Sequence, residues 1–213
     1  MNYPLRIVSV VVLLNAIFFL PSVFSNNGNC YGQVIDTEVF EKKLKEFTGD
    51  RSLEKPGAVM IVNQNQQQVI YYATGTANME NKISIDSNTV FEAASVSKQF
   101  TAAAVLLLAD AGKINLNDNV RKYIPELPDY GLTLTIKNLL LHTSGLKDWR
   151  NITYVYPVYT ANRLYNQQTA LDIICAQKSL NFNPGDQYRY SNSGYDLLSV
   201  IVERVTGSSF ANF

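Results

Sequence analysis

From Ala102 to Ala109 the chain holds nothing but Ala, Val and Leu, inside a longer apolar segment that runs from Val96 to Ala111 and stops at Gly112. Such a run predicts a helix with hardly any polar face, buried nearly all round, and so requires a core on every side of it. A chain of 213 residues, 46% apolar and 17% charged, is large enough to supply one. The same helix is opened by Ser95 and, one turn on, by Lys98, two polar side chains that this position would hold against a core.

Strands are scarce around that helix. Ala58 to Val62 and Val69 to Ala73 are partly β-branched runs joined by Asn63-Gln64-Asn65-Gln66, which reads as a β-hairpin. Ahead of it, Val39, Phe40, Leu44 and Phe47 fall on one helical face between Asp36 and Phe47, with Gly49 closing the helix. Gly75 to Ser87 reads as polar and irregular. Downstream, Thr135 caps a short helix over Ile136 to Leu141, and Asn151 to Gln168, rich in tyrosine, reads as a long surface loop. Thr169 to Gln177 is a helix, Asn183-Pro184-Gly185-Asp186 a turn, and Tyr188 to Tyr190 a short extended piece. Tyr195 to Val205 is a last amphipathic helix with Gly207 at its C′ position. Two front strands followed mostly by helices indicate an α/β (α+β) class, in which a lone hairpin needs further strands beside it.

Charge and the reactive side chains narrow the function. Eighteen basic residues balance eighteen acidic ones, which removes the electrostatic case for nucleic acid or an anionic membrane surface. His142 is the sole histidine, so zinc sites built on several imidazoles are excluded; no metal and no cofactor is expected. Cys30 and Cys175 are too few for a disulfide framework, and their spacing gives no evidence that they pair. Arg6, the 14-residue apolar run Ile7 to Leu20 with its two interruptions, and Val23-Phe24-Ser25 before Asn26 read as a signal peptide over residues 1–25. The run is short of the roughly 20 residues that span a bilayer, so no stable membrane span is expected, and the chain is expected in the periplasm or secreted.

Ser-x-x-Lys occurs at Ser52–Lys55, Ser95–Lys98 and Ser144–Lys147, and about one chance hit is expected from 15 serines and 11 lysines. Context separates them: the first ends at a proline turn, the third spans a glycine, and Ser95 alone opens the long apolar helix. A serine hydroxyl becomes a nucleophile when a neighbour takes its proton, and a lysine does so where burial or a helix N-terminus disfavours its ammonium form. Tyr190-Ser191-Asn192, between the extended piece and the last helix, adds a phenol able to relay a proton and a carboxamide able to donate to and accept from a substrate amide. By itself that tripeptide reads more readily as a core tyrosine with a satisfied hydroxyl followed by an asparagine N-cap.

Three stretches then occur in a telling order: Phe91-Glu92-Ala93-Ala94-Ser95-Val96-Ser97-Lys98, Leu139-Leu140-Leu141-His142-Thr143-Ser144-Gly145-Leu146, and Pro184-Gly185 through Tyr190-Ser191-Asn192-Ser193-Gly194-Tyr195. Together they resemble the serine β-lactamase and penicillin-binding-protein family, nearest its class C and D-alanyl-D-alanine carboxypeptidase-like branch, from about Pro56 to the last residue. The resemblance implies a β-lactamase/transpeptidase-like fold and an acyl-enzyme mechanism on a small-molecule or peptide substrate. The candidate bond is in a β-lactam, a D-Ala peptide, a D-amino-acid amide or an ester. Ser95 would be the nucleophile, Lys98 and Tyr190 the proton carriers, Asn192 the holder of the substrate amide, and His142 a structural residue in a turn after a helix. Ala94 departs from the family, which usually has glycine before the serine. The family's third motif, Lys-Thr-Gly or His-x-Gly, lies on a strand well downstream, whereas this chain ends 21 residues after Asn192 and contains neither tripeptide. Residues 26–213 are therefore expected to be the N-terminal portion of the domain, its helical part and first strands, with the C-terminal strands absent and activity in doubt. The alternative is a non-catalytic binding protein or remnant of the same fold. The tyrosines at 154, 156, 159 and 165 are expected either at a cleft rim or as loop anchors.

Overall fold

The computed structural model of the chain describes residues 37–49, 55–64, 67–155 and 166–213. The signal-peptide reading, Cys30 and Tyr156, Tyr159 and Tyr165 fall outside them. The described residues divide into two compact units, one ending at Ala94 and one running from Ser95 to Phe213.

In the first unit, α1 (Thr37–Thr48) follows the expected boundaries within one residue and buries Leu44, but Val39 is exposed. The hairpin forms as the β-branched runs require, and its strands extend beyond them: β1 (Ala58–Gln64) pairs antiparallel with β2 (Gln67–Thr74). Ala58 stands opposite Thr74 and Val62 opposite Ile70, with a slip in register at Val62/Asn63. The segment expected to be irregular is not wholly so. β3 (Thr76–Asn78) and β4 (Ile83–Ser84) form a second, shorter antiparallel pair, held in part by Ile85 N–H donating to Gly75 O at 3.2 Å. Those residues alternate weakly in polarity, so a two-residue strand leaves no periodic trace.

The second unit is helical around one core. α2 (Lys98–Asp110) presents Thr101, Ala104, Val105 and Leu108 to it, the i, i+3, i+4, i+7 stripe of one face. The opposite face is equally apolar but open: Phe100 and Leu107 are each 63% exposed and Leu106 52%. The expectation that this helix is buried all round is thus corrected. The helix that is wrapped by neighbours is α6 (Asn192–Thr206), expected to be merely amphipathic, which packs on α2, α3 (Ile136–Leu140), α4 (Trp149–Val155) and α5 (Gln167–Cys175). Leu197, Leu198, Ile201 and Val202 of α6 are fully buried there among Val105, Ile136, Leu139 and Ile174.

Local signals account for the helix ends. Thr135 and Asn138 make a reciprocal capping box at the start of α3, and Asn166 caps α5 by accepting the Thr169 N–H at 2.8 Å. α6 ends at Gly207 in the left-handed conformation, as expected. The long loop expected over Asn151 to Gln168 is corrected at both ends, since α4 occupies its first residues and α5 begins at Gln167. Among the described residues no helix is long and apolar enough to cross a membrane.

Candidate active site

Ser95 lies in a 3-10 turn, Ala94–Ser97, that leads directly into α2, and Lys98 is the first α-helical residue. The turn begins with Ala94 at φ 45°, a conformation that costs an L-residue roughly 1–2 kcal/mol and is free for glycine. Where the family usually carries glycine, this chain accepts strain instead.

Two residues, one from each end of the second unit, meet at Ser95. Its Oγ is 2.7 Å from Tyr190 Oη, and Lys98 Nζ donates to it at 3.3 Å. Lys98 Nζ also donates to Asn192 Oδ1 at 2.9 Å, and Tyr190 Oη reaches that same oxygen at 3.3 Å. Lys98 Nζ stands 5.0 Å from the centre of the Tyr190 ring and 5.6 Å from that of Tyr195. All four residues selected from the sequence are therefore brought together, although Ser95 and Tyr190 are exposed rather than held in a core.

His142 does a different job. It follows the C-cap of α3 with φ 55°, its N–H donates to Leu139 O and the next N–H, of Thr143, to Asn138 O. That is the hydrogen-bond pattern of a Schellman motif with histidine at the position where glycine is usual. Its ring packs 4.6 Å from Tyr190 and 5.0 Å from Tyr195, and Nδ1 accepts the Ser191 N–H at 3.3 Å. Burial, aided by the Lys98 charge, holds its pKa below the ordinary 6.5.

The strand-like approach to Tyr190 is tied to that turn by backbone. Asn181 N–H donates to Gly145 O (2.7 Å), Gly185 N–H to Thr143 O (2.8 Å) and Arg189 N–H to His142 O (2.9 Å). Gly145, at φ 74°, is pressed so closely that a Cβ there would lie 2.1 Å from Phe182 O. The Ser144–Lys147 repeat of the Ser-x-x-Lys spacing has another use: Ser144 is buried, its Oγ accepting the Leu146 N–H, while Lys147 Nζ donates to Ser179.

A segment that sequence reasoning passed over closes the site from behind. Ser193 Oγ donates to Lys147 O at 2.7 Å and accepts the Trp149 N–H at 3.0 Å, and Trp149 Nε1 donates to Asp196 at 2.5 Å. Between them, Asp148 Oδ2 accepts from Asn192 N (3.1 Å) and Asn192 Nδ2 (2.8 Å). Asp148 follows the His-Thr-Ser-Gly-Leu segment by two residues, and that adjacency is the one sequence signal that could have singled it out. A cavity of about 270 Å³ opens beside Tyr190, with Lys147, Asp148, Asn151 and Arg189 in its wall.

The family described as Beta-lactamase matches residues 31–213. The chain is 35% identical over 144 residues to penicillin-binding protein 4* of Bacillus subtilis, covering 67% of this chain and 31% of that protein. Among solved structures it resembles the penicillin-binding protein of Bacillus halodurans, with a TM-score of 0.61 at 25% identity over 80% of this chain and 51% of that one. It also resembles the D-amino acid amidase of Ochrobactrum anthropi, with a TM-score of 0.61 at 24% identity over 73% and 42% of the two chains. The chain spans about a third of the length of the curated relatives it matches.

Proposed function

The chain belongs to the beta-lactamase family, and on that premise we propose that it is a serine acyl-transfer hydrolase whose nucleophile is Ser95. The observation that carries this reading is the double contact of Ser95 Oγ, 2.7 Å from a phenol and 3.3 Å from an amine. Nucleophile and base must stand within hydrogen-bond reach of each other before either can act, and here two proton carriers do. In the proposed step Ser95 Oγ attacks a carbonyl carbon while its proton passes to Tyr190 or Lys98. The same proton returns to the leaving nitrogen or oxygen as that bond breaks, which leaves an acyl-enzyme for water to hydrolyse. Asn192 contributes an Nδ2–H toward the substrate carbonyl.

The substrate is an amide or ester. Penicillin-binding proteins and a D-amino acid amidase among the relatives favour a β-lactam or a D-configured amide, and the cavity beside Tyr190 offers room for part of it. The signal-peptide reading of residues 1–25 supports action outside the cytoplasm. The test is labelling with a fluorescent penicillin, followed by mass spectrometry of the peptides. An adduct on the peptide containing Ser95, lost in Ser95→Ala, is the expected result. An adduct on Ser144 or Ser52 would refute the assignment.

A further inference from the structure

An asparagine carboxamide has two orientations that differ only in which of its two ends is the donor, and the side chains around Asn192 admit one of them. On one side stand Lys98 Nζ at 2.9 Å and the phenol of Tyr190 at 3.3 Å, both able to donate. On the other stands the carboxylate of Asp148, which when ionised only accepts. Turning the amide over would set its carbonyl against the Asp148 carboxylate, exchanging a bond for a repulsion, and would take that carbonyl away from the Lys98 and Tyr190 donors. Asp148 is also held by partners outside α6: its Oδ1 accepts the Arg150 N–H at 3.0 Å, and its backbone carbonyl accepts the Asn151 and Ile152 N–H groups that begin α4. The flanking Trp149–Ser193 bond holds the same two segments in register.

We propose that Asp148 is a positioning residue that locks the Asn192 carboxamide with its carbonyl toward Lys98, through the paired bonds of Oδ2 to Asn192 N and Nδ2. The proposal rests on the reading of Ser95 as the nucleophile, because the bond it orients is one that Lys98 makes beside Ser95. It also refines how Asn192 meets a substrate. Its carbonyl is taken by Lys98 and one Nδ2 hydrogen by Asp148, so the group left over is a single donor. Asn192 therefore recognises a substrate carbonyl and does not accept from a substrate N–H, in contrast to the two-way role that the residue type alone suggests.

Three substitutions separate this role from a structural one. Asp148→Ser keeps an N-cap oxygen for Arg150 but cannot reach Asn192. Asp148→Asn keeps the shape but offers one accepting oxygen to three N–H donors. Asn192→Ala removes the group on which Asp148 acts. With a fluorescent penicillin as probe, Asp148→Ser should lower the rate of Ser95 labelling about ten- to a hundredfold, the range expected for a lost charged hydrogen bond, and Asp148→Asn should also lower it. In the Asn192→Ala background the further loss on adding Asp148→Ser should be less than about twofold, because the two residues act as one. The side-chain amide of Asn192, assigned in ¹⁵N spectra by its loss in Asn192→Ala, should exchange slowly in the wild type and fast in both Asp148 variants. Additive losses in the double variant, wild-type labelling by Asp148→Ser, or an amide signal unchanged in both Asp148 variants would overturn the proposal. A wild-type chain that takes no label on Ser95 defeats the nucleophile reading, while the amide exchange still decides whether Asp148 holds Asn192. Should Asp148→Ser lose its backbone spectrum, the same comparisons are read from the isosteric Asp148→Asn.

Discussion

Gly145→Ala tests whether the turn after α3 is what carries Tyr190 to Ser95. Two costs are separable. The first is backbone: at φ 74° an alanine is strained by roughly 1–2 kcal/mol relative to glycine's freedom. The second is contact. The new Cβ would lie 2.1 Å from Phe182 O, which is backbone, so either the 142–146 turn or the 180–184 segment must shift. The first bond in the way is Asn181 N–H to Gly145 O at 2.7 Å, and leaving the carbonyl of buried Gly145 unpaired costs about 1–3 kcal/mol. The sum, about 2–5 kcal/mol, is a large share of a typical domain's stability of about 5–15 kcal/mol. Gly131→Ala is the control, since Gly131 has nearly the same φ, 69°, with nothing near its absent Cβ. It should show the backbone cost alone. Urea denaturation of both variants gives the difference, expected at about 1–3 kcal/mol, and fluorescent-penicillin labelling should fall in Gly145→Ala even under conditions where it is folded. Equal destabilisation of the two variants would refute the claim that the chain is pinned here, and unchanged labelling would refute the link from this turn to Tyr190.

Lys98→Arg keeps the charge between Ser95 and Asn192 but places there a group that does not give up its proton, so Ser95 labelling should fall by about 10²–10⁴-fold; a near wild-type rate would exclude Lys98 as a proton carrier. His142 has a folded pKa below the ordinary 6.5, so folding favours its neutral ring: its stabilisation is complete above that ordinary value and is lost as pH falls from there through the folded value. His142→Asn tolerates the positive φ and does not titrate, and it should therefore lose less stability than the wild type in melts between about pH 7 and about pH 5; identical pH profiles would rule this out. Ser191 Oγ, between two residues of the site, is buried with no hydrogen-bond partner among the described residues, so Ser191→Ala should leave stability unchanged or raise it by about 1 kcal/mol, and a clear loss in a chemical melt would show that the hydroxyl is satisfied after all.

What was legible in the sequence was what a few consecutive residues decide. The cap Thr135, the glycine at 207 and the β-branched runs on either side of residues 63–66 each act within their own turn or strand. The order of three short stretches marked Ser95, Lys98, Tyr190 and Asn192, because each carries a side chain whose chemistry is unusual enough to search for. Burial was read less well. The apolar stretch of α2 is uniform in composition, and composition along a helix tells how apolar each face is without telling which face has a neighbour. Leu106 and Leu107 are open while Val105 and Leu108 are sealed, and nothing in the string Val-Leu-Leu-Leu distinguishes them. In α6 the converse holds: polar Ser193 is fully buried because its hydroxyl bridges Lys147 and Trp149, a partnership that spans 44 to 46 positions.

Asp148 shows why the second kind of information escapes. An aspartate before a helix is adequately explained as an N-cap, and its Oδ1 does serve the Arg150 N–H. The function proposed for it lies in the other oxygen, and that oxygen's partners are 44 positions away on α6. A residue with a sufficient local explanation gives no reason to look further, even where one carboxylate both begins α4 and receives the first residue of α6. The division of labour also sets the order of sensitivity at the site. Replacing Ser95 or Lys98 removes reacting groups, whereas replacing Asp148 leaves them all in place and changes how often the Asn192 carbonyl faces Lys98. Loss of Ser95 should abolish labelling and loss of the Lys98 proton carrier should cut it by about 10²–10⁴-fold, whereas loss of Asp148 should slow it by an amount that vanishes once Asn192 is gone.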